Sequence, residues 1–262
     1  MRTKMKVLKE LYEYREMMFS LVRRDLRGRY KGSVLGFAWT FINPLLQLLV
    51  YTFVFSYILK SNIEDYYLFL FVALIPWIFF SASLSAGAGC IRAQGDMVKK
   101  IYFPREVIPI SFVTGQFINM LLSFIVVFIV LVVSGKGISI IPIMYLPLIM
   151  IIEYILALGF TLIISGLVVY FRDLEHLVAI ITMVWQFMTP IMYDSSIIPE
   201  KVLPLYNINP MTSIIVAYRD ILYYQRVPRL STLTNAVVFG LFILIIGFVL
   251  FSRLKKHFAE EL

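Results

Sequence analysis

Apolar positions along this chain come in long blocks. Six of them, at 36–59, 67–90, 107–133, 141–170, 177–193 and 231–251, are almost free of charge. A helix crosses a hydrocarbon core of about 30 Å with about 20 apolar residues, at about 1.5 Å each. The blocks therefore predict an all-α integral membrane protein with six transmembrane helices. The pattern changes before the first block. Val7, Leu11, Tyr14, Met18 and Leu21 recur at helical spacing, with Lys9, Glu10, Glu13 and Glu16 on the opposite face. This predicts an amphipathic helix lying in the membrane surface.

A third pattern lies between the last two blocks, over 195–225. Asn209-Pro210 reads as a helix start, with Asn as cap and Pro in the first turn. From Met211 to Tyr224, Ile214, Tyr218 and Ile221 share one face, and Arg219 and Asp220 lie away from it. Such a helix reaches about 21 Å, too short to span. The expectation is a short re-entrant, partly inserted outer element, serving either as a gate or as a structural plug.

Composition strengthens the membrane reading. Of 262 residues, 60% are apolar and 15% charged, whereas soluble domains carry about 25% charged residues. Charge then sets orientation. With the N-terminus inside, eighteen Lys and Arg fall on the cytoplasmic side and six on the outer side. Short cytoplasmic loops carry the positive excess, so both termini are expected to be cytoplasmic. The first 33 residues lack a continuous apolar core, so no cleavable signal peptide is expected. The organisation predicted is one transmembrane unit over 1–262: an interface helix and basic elbow at 1–33, the helical region at 34–252 and a cytoplasmic tail at 253–262.

The chemistry excluded is as informative as that retained. Cys90 is the single cysteine, and His176 and His257 are isolated, so neither a disulfide framework nor a metal site is supported. The phosphate loop GxxxxGK[ST] is missing, since Gly135-Lys136-Gly137 lacks both the preceding glycine and the following hydroxyl residue. No nucleophile elbow or paired carboxylate stands at a plausible site. Glu153 is the only acid well inside a span. It is either a proton site or a bundle-facing group bonded to a neighbouring helix. Asn43, Gln47, Gln116, Asn119 and Gln186 are neutral polar residues in spans, of the kind that glue helices together. A chain that moves cargo without fuel chemistry of its own must be driven by another subunit.

Three stretches invite such roles. The elbow Arg23-Arg24-Asp25-Leu26-Arg27-Gly28-Arg29-Tyr30-Lys31 is strongly basic. It is a topology signal that meets anionic lipid, or a dock for a partner or an anionic substrate head. Residues 91–105 read as a short polar helix ended by Phe103-Pro104, either an interface for a driving subunit or an ordinary turn. In the first span Phe37, Phe41, Tyr51 and Phe55 fall along one face, and Trp39, Phe53 and Tyr57 along another. Such rings face lipid, pack in the core, or guide sugar rings.

Taken in order, Gly36-Phe37-Ala38-Trp39 with Asn43-Pro44-Leu45, Ile75-Pro76-Trp77-Ile78-Phe79-Phe80, Lys100-Ile101-Tyr102-Phe103-Pro104-Arg105, Phe171-Arg172-Asp173-Leu174, Thr189-Pro190-Ile191-Met192-Tyr193 and Asn209-Pro210 with Tyr218-Arg219-Asp220 form an ordered set over nearly the whole chain. The chain resembles the membrane subunit of ABC-2-type exporters of lipid-linked polysaccharides, the O-antigen and wall teichoic acid group. The resemblance implies a homodimer in the bacterial cytoplasmic membrane, joined by two copies of a separate ATPase. This chain would bind no cofactor; ATP and Mg would sit on the ATPase. Nucleic acid has no part in it. The cargo would be a glycan on a polyprenyl diphosphate, moved from the inner to the outer leaflet, within surrounding membrane lipid. Gln94, Asp96, Met97, Val98, Lys99 and Lys100 would couple to the ATPase, and Arg23, Arg24, Arg27 and Arg29 would meet the diphosphate. Phe37, Trp39, Phe41, Tyr51 and Phe55 would line the pathway. Asn209, Pro210, Tyr218, Arg219 and Asp220 would belong to the outer gate. Competing expectations are an ABC-2 permease for a drug or small lipid, a secondary transporter resting on Glu153, and a membrane enzyme or scramblase.

Overall fold

Backbone amides facing hydrocarbon must be satisfied within their own segment, which forces long apolar blocks into helices. The computed structural model describes residues 9–30, 32 and 34–262, with the backbone alone at Arg29, Tyr30 and Leu205. Helix α1 (Arg15–Tyr30) precedes α2 (Trp39–Thr52), α3 (Tyr66–Ser85), the short α4 (Gly95–Lys100), α5 (Val107–Val133) and α6 (Leu146–Tyr170). Then come α7 (Leu174–Phe187), α8 (Leu203–Ile208), α9 (Pro210–Leu222) and α10 (Leu230–Leu254). Between α1 and α2 the chain turns at Gly32 (φ 82°) and Gly36 (φ 46°), a backbone region that costs a side-chain-bearing residue strain.

Five helices among the described residues, not six, are long and apolar enough to cross a membrane: 36–58, 66–85, 107–133, 140–170 and 230–261. The block expected to span at 177–193 is the correction. It forms α7, with 14 residues, a rise of about 21 Å against a core of about 30 Å. Its apolar run continues past Phe187, but Pro190 has no amide to donate and pushes the preceding residue out of helical geometry. The chain leaves the helix at Met188. The second block also stops early, at Ser85, with turns over 86–89.

Burial divides the long helices. In α3 nearly every side chain is covered, from Tyr66 to Leu84, so its hydrophobicity serves a protein core. α2 leans mainly on α3 and α5 and leaves most of its surface open. The outer element departs from expectation as well. α9 is not a half-inserted surface helix: it packs into the bundle against α3, α6 and α10, with Arg219 and Asp220 as buried as Tyr218.

The α6–α10 pair shares the most extensive contact in the bundle. Gly159 and Gly247 permit it: a Cβ on Gly159 would lie 2.7 Å from the Leu244 nitrogen, and one on Gly247 would lie 2.5 Å from the Gly159 carbonyl. Small residues let membrane helices approach backbone to backbone. Gly159→Leu is expected to destabilise the protein by about 1–3 kcal/mol through overpacking. Gly240→Ala, whose Cβ would meet Ile152 at an ordinary 3.5 Å, should leave stability unchanged. Thermal unfolding in detergent separates the two; equal midpoints would remove the close-approach argument.

Candidate functional site

One end of the bundle gathers the basic segments. α1 packs along α5. Leu11, Tyr14, Met17, Met18 and Leu21 turn toward the core, while Lys9, Glu13 and Glu16 face outward. The expected apolar face is thus present, while Glu10, expected on the outward face, is half-buried; Val7 lies outside the described residues. Tyr14 donates to the Tyr102 carbonyl at 3.3 Å, and the Arg24 guanidinium donates to Gln94 Oε1 at 2.8 Å. Asp25 is seated on Gly115, where a Cβ would come within 3.0 Å of the carboxylate. The interface helix is therefore pinned to both α5 and the 90–106 connection.

Beside it lies an open groove of about 1370 Å³, lined among others by Phe19, Arg23, Arg24, Arg27, Phe37 and Leu122. The three arginines are exposed, and Phe19 is 67% exposed. The structure thus brings Arg23, Arg24 and Arg27 to one groove; the Arg29 side chain lies outside the described residues.

The short helix expected within 91–105 is two pieces, Cys90–Ala93 and α4, broken at Gln94. Of the residues assigned to coupling, Val98 is buried, Met97 and Gln94 are half-buried, and Asp96, Lys99 and Lys100 face outward. Lys100 pairs with Asp96 one turn away, at 3.4 Å. Arg92 pairs with Glu175 at 2.8 Å, and the Glu175 carboxylate rests on Gly89. That tie links the connection after α3 to the first turn of α7. The chain's last residues reach the same end: Lys255 pairs with buried Glu106 at 2.5 Å, and Phe258 is fully buried.

The opposite end is held by α9. Asn209 caps it by accepting from the Met211 amide at 3.0 Å, as its sequence position suggests. The same carboxamide accepts from Trp185 Nε1 at 2.9 Å and donates to the Met188 carbonyl and Thr189 Oγ1. Pro210 comes next, in the first turn. Tyr218 donates to Glu153 Oε2 at 2.7 Å and stacks on Phe124. Glu153 is therefore fully buried and bonded across helices. Arg219 donates to the carbonyls of Ile191, Tyr193 and Phe69, and its guanidinium lies 3.5 Å from the Phe69 ring centre. Asp220 pairs with Arg226 at 2.6 Å. Tyr223 reaches the Glu64 carbonyl, and Tyr224 reaches Asp194. Partial burial works against the Asp194 charge, but the Ser196 amide, the Tyr224 hydroxyl and nearby Arg219 hold its carboxyl below the usual range.

The aromatic stripe of the first span is divided. Phe37 meets Phe41 edge to face at 5.4 Å beside the basic groove, and Trp39 is 37% exposed. Phe55 instead stacks on Tyr66 and joins the core, with Tyr51 packed beside it. The ties Arg24–Gln94, Arg92–Glu175, Lys255–Glu106 and Tyr218–Glu153 have no counterpart in the sequence pattern. Their partners are 65 to 149 residues apart, and no local spacing announces them.

A multi-helix membrane protein with an amphipathic helix and charged loops gathered at one end is a transport subunit in form. The ABC-2 type transporter family profile matches residues 16–223, and the chain belongs to that family. It is 34% identical over 259 residues to the O-antigen export system permease protein RfbA of Myxococcus xanthus, covering 98% of this chain and 99% of that one. A protein of the same description from Klebsiella pneumoniae is 34% identical over 247 residues, covering 94% and 95%. The polysialic acid transport protein KpsM of Escherichia coli is 24% identical over 243 residues, covering 90% and 93%. The chain is thus a multi-pass protein of the bacterial inner membrane.

Proposed function

We propose that this chain is the membrane permease of an ATP-driven exporter whose cargo is a cell-surface polysaccharide on a polyprenyl diphosphate lipid. Full-length similarity to O-antigen permeases supports the polysaccharide. The observation that carries the lipid head is the split character of the groove beside α1. Arg23, Arg24 and Arg27, with one carboxylate, Glu16, line it together with Phe19, Leu26, Phe37 and Leu122. Guanidinium forks match phosphate oxygens, and the apolar side chains suit the first isoprene units. A small neutral lipid or drug has no use for three cations in one groove.

In this reading the basic end is cytosolic. Two copies of the chain work together, joined by two copies of an ATP-binding subunit that holds ATP and Mg. Asp96, Lys99 and Lys100 offer exposed charge to that subunit, while buried Val98 transmits the push inward. The Arg24–Gln94 bond passes it to the interface helix, and the Arg92–Glu175 pair passes it to the first turn of α7. Asn209, Pro210, Tyr218, Arg219 and Asp220 form the outer closure.

The test is ATP-dependent export by the permease–ATPase complex reconstituted in vesicles. Arg23→Gln combined with Arg27→Gln is expected to lower export at least about tenfold, through loss of charge-assisted bonds. The paired Lys replacements should keep part of it. Undiminished export by the double Gln variant would remove the groove from the mechanism.

A further inference from the structure

The basic groove has a second cavity next to it along the chain. Its wall residue Leu122 stands on α5 between Asn119 and Ser123, and these line a second cavity, of about 470 Å³. Trp39, Thr40, Asn43, Gln116, Asn119 and Ser123 bring an indole, two hydroxyls and three carboxamides to it, from α2 and α5. No charged residue lines it. The two cavities are lined by residues close along the chain: Leu122 precedes Ser123 on α5, and Phe37 stands two residues before Trp39 at the start of α2. The first is rich in arginine, the second neutral and polar.

Some of this polarity holds helices together. Ser123 Oγ donates to the Thr40 carbonyl at 3.3 Å, across α5 and α2, and Thr40, Gln116 and Ser123 are buried. Helix glue does not account for Asn43. It is exposed, as is Gln47 one turn later, on a span that buries Thr40, Pro44 and Leu48 against its neighbours and leaves the rest of its surface exposed or half-buried. A carboxamide facing hydrocarbon without a polar partner is costly. This face of α2 therefore meets something polar when the protein works.

We propose that the crevice is a subsite for the first sugar residues of the lipid-linked glycan, taking neutral, hydroxyl-rich pyranose rings. It rests on the reading of the basic groove as the diphosphate site and extends it. Carboxamides both donate and accept, so they match vicinal sugar hydroxyls without the strong trapping that a charge would impose. The Trp39 ring offers the apolar face on which the C–H side of a pyranose lies. The volume falls in the range of about 300–1,000 Å³ that holds small molecules. With the diphosphate held at Arg23 and Arg27, the sugars joined to it are the part of the cargo that reaches Asn43.

The experiment uses the permease–ATPase complex in lipid nanodiscs and two probes: undecaprenyl diphosphate, and undecaprenyl diphosphate carrying a neutral disaccharide. The wild type is expected to bind the disaccharide form about tenfold more tightly, from one or two additional net hydrogen bonds and ring stacking. Asn43→Leu, which suits a lipid environment and leaves insertion intact, brings the disaccharide form down to the affinity of the bare diphosphate; Asn43→Gln restores part of the difference. Equal wild-type affinities, or an undiminished difference in Asn43→Leu, overturns the subsite while leaving the groove standing. If the wild type binds neither probe, the groove reading fails and takes the subsite with it. Asn43→Cys on a Cys90→Ala background supplies a second readout. The thiol is expected to react with a water-soluble maleimide and to be protected by the disaccharide probe but not by the bare one. A disulfide between two copies through position 43 shows that a second copy covers the crevice, and overturns the proposal.

Discussion

Arg219→Met is expected to lower stability by about 3 kcal/mol, the largest effect of any single replacement at the end of the bundle opposite α1. The segment after α7 leaves the helix at Met188 and runs irregularly to Asp194, so its carbonyls have no helical amides to accept from. Arg219 supplies the donors. Its Nη2 reaches the Ile191 carbonyl at 2.6 Å, Nη1 the Tyr193 carbonyl at 3.2 Å and Nε the Phe69 carbonyl at 3.4 Å, from a side chain only 3% exposed. Methionine fills a similar volume and donates nothing. Each orphaned acceptor costs about 1–3 kcal/mol, while relief of a buried charge returns part of that. The hydrogen bonds win because a fixed planar fork reaches three acceptors at once. Arg219→Lys should recover a fraction, since an ammonium on a flexible stem can reach only some of them. Thermal unfolding in detergent and proteolysis of residues 188–202 measure the effect. A midpoint for Arg219→Met equal to the wild type would mean that those carbonyls find other partners.

Arg219 also marks where sequence reading stops. Its charge, and that of Asp220, placed both on the water-facing side of an amphipathic helix, because periodicity scores each residue by its own polarity. The structure buries both, since the groups that satisfy Arg219 come from Phe69, Ile191 and Tyr193, and only Asp220 finds its partner nearby. Features whose cause is local were legible. Asn209 caps α9 through the amide two residues on, and the apolar face of the first helix turns inward as its spacing requires. The five long blocks were legible because twenty uncharged residues in a row have few other fates. The block at 177–193 misled because hydropathy averages over Thr189-Pro190, where backbone chemistry rather than polarity ends the helix. The basic elbow was visible as a run of arginines. That three of them would line one groove with Phe19 and Leu122 depended on how α1 packs on α5, which no window of sequence contains. Asn43 was visible only as glue, because depth and polarity are readable along a chain and exposure is not.

Lys255→Met is expected to destabilise the protein by about 2–3 kcal/mol, while Lys255→Met combined with Glu106→Gln costs much less. The Glu106 carboxylate is 1% exposed, and Lys255 Nζ lies 2.5 Å from one of its oxygens. The other oxygen is buried without a hydrogen-bond partner among the described residues, so the lysine carries the compensation. Breaking a buried pair by removing one partner typically costs about 3–5 kcal/mol, because the remaining charge stays out of water. Lys255 is 27% exposed, and solvent screening lowers the expectation from that range. Neutralising both groups removes the stranded charge, and for that reason the double variant recovers. The pair also positions the end of the chain. Beyond Lys255 the backbone turns so that Phe258 packs edge to face on Phe251 at 5.4 Å and against Tyr170, and the turn Phe258–Glu261 contacts α4. Loss of the pair should therefore raise hydrogen exchange both at 255–262 and at 95–100, with the double variant intermediate. Additive effects of the two single replacements, or exchange confined to 255–262, would show that the turn Phe258–Glu261 does not support α4. Coupled effects would instead make α10, through Lys255, a structural support of α4, so that the close α6–α10 packing at Gly159 and Gly247 and the position of α4 rest on the same helix.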